Sequence, residues 1–163
     1  MILKASERGG ARDLARHLLN DQDNDHVEVH DLRGFVADDL QGAFLESEAA
    51  AKGTRCQNHL FSLSLSPPSD ASVRDDVFVK AADRIERDLG LEGQSRAVVF
   101  HEKEGRRHAH VVWSRIDATR MRAINLAHFK TKLNAISRDL FLENGWDLPD
   151  GFKRGAERSP LTF

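Results

Sequence analysis

The stretch that decides the fold reads AVVFHEKEGRRHAHVVWSRID, residues 97–117. Residues 97–100 form a short apolar run, as expected of a buried strand, and residues 108–116 form a second strand. The charged residues 102–107 between them predict a turn that returns the second strand beside the first. His108 and His110 are two apart, so their side chains leave the strand on one face. His101 closes the preceding strand, and the turn carries the other two back beside it. Three imidazoles can therefore converge from adjacent strands.

Three histidine ligands leave coordination positions open, which is how a catalytic rather than a structural metal site is built. Imidazole suits Zn, Ni, Co or Mn better than Ca, and spacing does not choose among them. The competing reading is three polar side chains on a solvated basic hairpin. Two features favour the metal: the spacing H-x6-H-x-H lies on a strand–turn–strand, and the second strand continues as Val111, Val112 and Trp113.

Working outward, Ile2 and Leu3 begin an edge strand. Gly9 and Gly10 open a helical pattern through Leu14, Leu18 and Leu19. HVEVH, residues 26–30, alternates with period two, placing Val27 and Val29 opposite His26, Glu28 and His30. Residues 37–52 are Ala-rich and helical, and HLFSLSL, residues 59–65, is a further alternating strand that Pro67 and Pro68 stop. A helix is predicted near 73–89, and a last one over 126–143 with Leu126, Phe129, Leu133, Ile136 and Leu140 as its apolar set. Phe141 and Trp146 read as core, Cys56 as a core or strand-edge residue. The expectation is an α+β domain over residues 1–148, with about five mainly antiparallel strands and helices on one face. Residues 149–163 read as an irregular tail that could begin a linker, and the ending SPLTF is compatible with a chain that continues.

The chain has 163 residues, 24 Lys plus Arg and 26 Asp plus Glu, for a net charge of −2. That balance gives no support to nucleic-acid binding by bulk electrostatics. The charge is unevenly spread: residues 96–138 carry ten basic and three acidic side chains, a local +7, whereas residues 1–95 stand at −7. A basic face can thus be concealed in a neutral total. The single cysteine excludes an internal disulfide and a Cys-rich zinc site, and suits a reducing compartment. No apolar run approaches the ~18–20 residues of a membrane span, and MILKASERGG lacks a signal-peptide core. The chain has eight histidines and no tyrosine.

HEKEGRRHAHVV resembles the third motif of conjugative relaxases, the plasmid mobilization nucleases of the HUH endonuclease superfamily. GGARDLARHLLND is similar to the first, nucleophile-bearing motif of the P-type mobilization family. TRCQNHLFSLSLSPP resembles the strand after the second motif, and KLNAISRDLFLENGWDL the helix that closes the relaxase core. The likeness runs in order along nearly the whole chain. It implies an HUH-like fold and an enzyme that recognises an origin of transfer, cuts one strand and stays joined to the 5′ phosphate. His101, His108 and His110 would hold a divalent ion (Mn, Mg, Zn, Ni or Co) against the scissile phosphate. Lys103, Arg106 and Arg107 in the hairpin turn, Lys130 and Lys132 on the final helix, and Thr54 and Arg55 before the third strand would contact DNA. The implied partners are single-stranded DNA at the origin, accessory relaxosome proteins and a type IV secretion coupling protein. The implied location is the bacterial cytoplasm, with export alongside the DNA and no membrane insertion.

The chain departs from the pattern at the nucleophile. Laid over the first motif, DLARHLLND puts His17 where relaxases of this type place a tyrosine. A neutral imidazole, with an ordinary pKa of about 6.5, can attack phosphorus with no hydroxyl proton to remove, and another relaxase branch uses histidine. His26, His30 and His59 are rivals, and Glu104 or Glu102 is a candidate base. Two further classes stay open: a three-histidine phosphodiesterase that activates water, and a silent origin-binding module.

Overall fold

In the computed structural model, which describes residues 1–152, the charged segment between the two apolar runs is strand for all but two residues. β4 (Arg96–Lys103) and β5 (Arg106–Ser114) are joined by Glu104 and Gly105 alone, both with positive φ, 53° and 75°. The expected six-residue loop is thus a two-residue type I′ turn, whose twist matches that of the strands it joins. Its tightness sets the register: His101 pairs with His108, Glu102 with Arg107 and Lys103 with Arg106. Glutamate is a poor residue for a left-handed position, so Glu104→Asn should stabilise the fold by about 0.5–1 kcal/mol. Thermal melting checks this.

β1 (Ile2–Arg8), β2 (His26–Arg33) and β3 (Leu60–Ser66) complete a five-stranded sheet in the order β1-β3-β5-β4-β2, every neighbouring pair antiparallel. A bulge between Val29 and Asp31 interrupts β2. A small ribbon pairs β6 (Ile116–Asp117) with β7 (Arg122–Ala123). The helices are α1 (Ala11–Leu18), α2 (Leu40–Ala51), α3 (Asp75–Asp88) and α4 (Phe129–Glu143). Asp39 caps α2, its carboxylate accepting from Gly42 N at 2.6 Å. Leu19, expected on the apolar face of α1, lies beyond the helix and is 41% exposed.

Helices cover both faces of the sheet, not one. On one side Phe61, Leu63, Val98, Phe100, Val111 and Trp113 pack against α3 and α4. On the other, Leu60, Ala97, Val99 and Val112 meet Leu14 and Leu18 of α1 and Leu40 and Phe44 of α2. The sign was present in residues 97–100: four consecutive apolar residues without alternation belong to a strand buried on both faces. Phe141 is buried, with Trp146 edge-on to it at 5.9 Å, so both serve the core. Of the expected irregular tail, Asp150–Phe152 is a short 3-10 turn with Phe152 against Phe141; residues 153–163 lie outside the described residues.

Glu86 ties the α3 layer together. Its carboxylate accepts from Arg33, from Arg96 Nη1 at 3.3 Å and from Trp113 Nε1 at 3.0 Å. The Arg96 side chain is only 5% exposed and is also held by Asp83 at 2.7 Å. Glu86→Ala would leave a buried guanidinium short of charge and an indole N–H without an acceptor. The expected cost is about 3 kcal/mol, or roughly 6–12 °C in melting temperature for a chain of this size.

Candidate active site

Strand parity and the tight turn decide which side chains meet. His101 on β4 and His108 and His110 on β5 share the face covered by α1 and α2. His101 and His110 rings lie 4.4 Å apart between centroids, tilted by 49°. His101 Nε2 bonds the carbonyl oxygen of Leu18 at 2.5 Å. A carbonyl can only accept, so the proton sits on Nε2 and Nδ1 is left with a free lone pair. His108 Nδ1 is buried with no hydrogen-bond partner.

Burial is the main force on all three ionisations. It lowers the pKa of His101, opposed by the Leu18 bond and reinforced by nearby His17. It lowers that of His108, with Arg106 and His101 adding to it. His110 is pushed down to about 3 by burial, then by His101, His17 and His108. The cluster is therefore neutral at pH 7, with lone pairs available. In chelator, the unfolded chain protonates these groups near pH 6.5 while the folded chain resists, down to about pH 3 at His110. The unfolded state then binds more protons, so stability falls on acidification, by up to about 1.4 kcal/mol per pH unit for each such histidine. Urea midpoints at pH 7.5, 6 and 5 should decline in that order; a flat series would contradict neutral burial.

His17 stands exposed on the last turn of α1, in a cleft of about 680 Å³ shared with Asp13, Arg16, Asn20 and Gln41. The bond from His101 to the next residue's carbonyl docks that turn onto β4. His17 is thereby close enough for its charge to depress both His101 and His110.

The other candidates are distributed differently. Lys103 and Arg106 share the histidine face and are exposed at its rim, and Arg106 acts on His108. Arg107 points the other way, toward α3. It pairs with Asp75 at 2.8 Å, Glu28 at 3.0 Å and Glu102 at 3.4 Å, and lies 4.4 Å over the Phe100 ring. Its charge is neutralised there, which corrects its expected place among the DNA-facing groups. Parity alone carried that signal, since 107 must oppose 108. Glu102 goes with it, and Glu104 sits at the turn tip, its N–H donated to Asp25 Oδ2 at 2.8 Å. Neither is brought to the imidazoles.

Among the rival histidines, His26 shares the Glu102 side of the sheet, and His30 meets Phe100 edge-on at 5.1 Å on the α3 side. His59 is 2% exposed, its Nδ1 bonded to Ser47 Oγ at 2.8 Å, with Ser114 Oγ 2.9 Å further on. Thr54 is turned into its own loop, donating to Ala51 O and accepting from Cys56 N. Arg55 is exposed beside it, whereas Lys130 and Lys132 start α4 on the opposite side of the sheet from the histidines. Cys56 is half-buried in the α2–β3 loop, in neither core nor strand.

Among the described residues, no group of three His, Cys, Asp or Glu side chains is preassembled as a metal cage. The donor set nonetheless fits a divalent ion: three neutral imidazoles on one face, one with an orphaned buried nitrogen. An antiparallel sheet carrying paired histidines on its central strands, with a histidine-bearing helix docked on them, describes a nuclease of the relaxase class. The family model of the relaxase MobA/VirD2-like nuclease domain matches residues 15–146, and the chain belongs to this family. It is a DNA-nicking enzyme of plasmid mobilization that acts on single-stranded DNA at an origin of transfer. No curated protein and no solved structure matches it. Among the described residues no helix is long and apolar enough to cross a membrane.

Proposed function

We propose that this relaxase cuts with His17 as nucleophile, beside a divalent ion held by His101, His108 and His110. The observation that carries the reading is the Leu18–His101 bond, which seats His17 at the edge of the imidazole cluster while His26, His30 and His59 are turned away or buried. When bound, the ion would neutralise charge on the oxygens of the scissile phosphate. The unprotonated nitrogen of His17 attacks phosphorus, forming a P–N bond as the P–O3′ bond breaks. The 3′ oxygen takes a proton from solvent, and the second ring nitrogen releases one, leaving a phosphoramidate on the 5′ phosphate whose ring is neutral and whose phosphoryl oxygens keep the single negative charge of the diester. Attack by the 3′ hydroxyl reverses the step.

Lys103 and Arg106 supply positive charge for flanking phosphates. We assign Glu104 to the turn and Arg107 to the α3 layer rather than to chemistry or DNA. Residues 1–148 form the nuclease unit in this reading, the nick is made in the bacterial cytoplasm, and accessory relaxosome proteins and a type IV coupling protein are the expected partners.

Single-stranded oligonucleotides tiling the cognate transfer region test the proposal. An acid-labile, denaturation-resistant adduct is expected, dependent on added divalent ion. Cut DNA without adduct would instead support the water-activating phosphodiesterase, and a salt-sensitive shift without cutting the silent module.

A further inference from the structure

A second cleft, of about 940 Å³, opens where β3 begins and β5 ends, at the far end of the sheet from the β4–β5 turn. Its walls are Glu7 of β1, the α2–β3 loop, Arg115 and the β6–β7 ribbon. Arg115, 12% exposed, stitches them together: Nη1 donates to Asn58 O at 2.9 Å and meets Glu7 at 3.4 Å, and Nη2 donates to Ile124 O at 3.0 Å. Its Nε is buried without a partner. A Cβ on Gly9 would lie 2.7 Å from the Gln57 carbonyl, so the β1–α1 turn packs directly on this loop.

The chemistry of the cleft is one-sided. Its acid, Glu7, is already paired with Arg115, while Lys52, Arg55 and Arg122 are exposed with no ion pair among the described residues. The exposed amides of Gln57 and Asn58 likewise have no hydrogen-bond partner there for their side chains. Unpaired cations with free amides, and no aromatic ring among the lining residues, suit phosphates and base edges rather than stacked bases.

The cleft is also linked to the His17 site by shared walls. Lys52 lines both it and a groove of about 600 Å³ between α1 and α2, and Asp13 lines both that groove and the cleft holding His17. Along α2 these adjacent clefts span from Gln41 to Lys52, about 16 Å by helical rise, or a few nucleotides. Glu48 lines the middle groove, and Asp13 and Asp21 stand with Arg16 in the His17 cleft, so the cationic grip on a polyanion is concentrated at the Lys52 end.

We propose that this cleft is a second subsite for the DNA strand that is cut at His17. Lys52, Arg55 and Arg122 grip a phosphodiester segment a few nucleotides from the nick, and Gln57 and Asn58 face its bases. The inference rests on the reading that the strand is cut on the histidine face. Holding one strand at two points fixes its register at the nucleophile without any base contact there.

Cys56, the only cysteine of the chain, lies in this cleft and reports on it. Oligothymidylate of 16 nucleotides should slow maleimide alkylation of Cys56 at least about fivefold. Joint replacement of Lys52, Arg55 and Arg122 by Ala should weaken binding of that oligonucleotide about tenfold, lower the log–log salt slope by about 2 and abolish the protection. If the oligonucleotide binds by fluorescence anisotropy while wild-type Cys56 reacts at its free rate, the subsite is overturned and the histidine reading stands. Better protection by a 16-base-pair duplex would overturn the single-strand assignment. If neither DNA binds, subsite and single-strand reading fall together, whereas the adduct assay reports on His17 alone. The wild-type protection measurement stands even if the triple variant does not fold.

Discussion

His17→Ala is expected to abolish the covalent protein–DNA adduct, a loss of about 10³-fold or more in strand transfer, with little change in stability. The two halves of this expectation have separate origins. The His17 side chain is exposed and makes no hydrogen bond within the described residues, so its removal leaves no buried group unsatisfied and should cost within about 0.5 kcal/mol. The bond that docks α1 on β4 runs through the Leu18 carbonyl, which the substitution leaves in place. Chemistry, by contrast, loses its assigned nucleophile: the chain has no tyrosine, His26 and His30 lie on the α3 side of the sheet, and His59 is buried. His17→Gly with added imidazole should recover cutting without the adduct, because the nucleophile is then untethered. An adduct that persists in His17→Ala, mapped by mass spectrometry to another residue, would overturn the assignment.

His108→Ala is expected to weaken divalent-metal binding at least about 100-fold and to take metal-dependent nicking with it. Titration calorimetry on protein stripped with chelator measures the first effect directly. The metal-free fold should hardly suffer, because His108 Nδ1 makes no hydrogen bond that would be lost; a change within about 1 kcal/mol is expected. His101→Ala makes the contrast, since it also removes the hydrogen bond to Leu18 and should loosen α1 as well as metal. Unchanged metal content in His108→Ala would remove the triad from the proposal.

How far the chain could be read depended on what each pattern encodes. The apolar runs 97–100 and 108–116 with a charged break announced the hairpin, and parity placed His108 and His110 together. The number of turn residues was not legible, because strand and loop are both compatible with Glu102, Lys103, Arg106 and Arg107. It took the positive φ of Glu104 and Gly105 to show where pairing stops. HVEVH was correctly divided into two faces, but alternation does not say which face a helix will cover. That ambiguity left His26 and His30 as rivals until α1 and α2 were seen on the Val27 side. Likewise Arg107 read as one more cation of a basic loop. Only packing revealed Asp75 of α3 and Glu28 of β2 around it, residues 32 and 79 positions away.

By itself, the sequence determined the local terms: an antiparallel hairpin, three histidines able to share one face, a basic segment within a neutral chain, and a relaxase motif order without tyrosine. These follow from spacing, alternation and composition, which act over a few residues. The tertiary structure alone decided which histidines share a covered face and which charges are paired. It also set a cationic cleft near the His17 cleft, the groove between α1 and α2 sharing a wall with each. Those outcomes depend on where helices distant in sequence settle on the sheet, and that is set by burial summed over both faces rather than by any single segment.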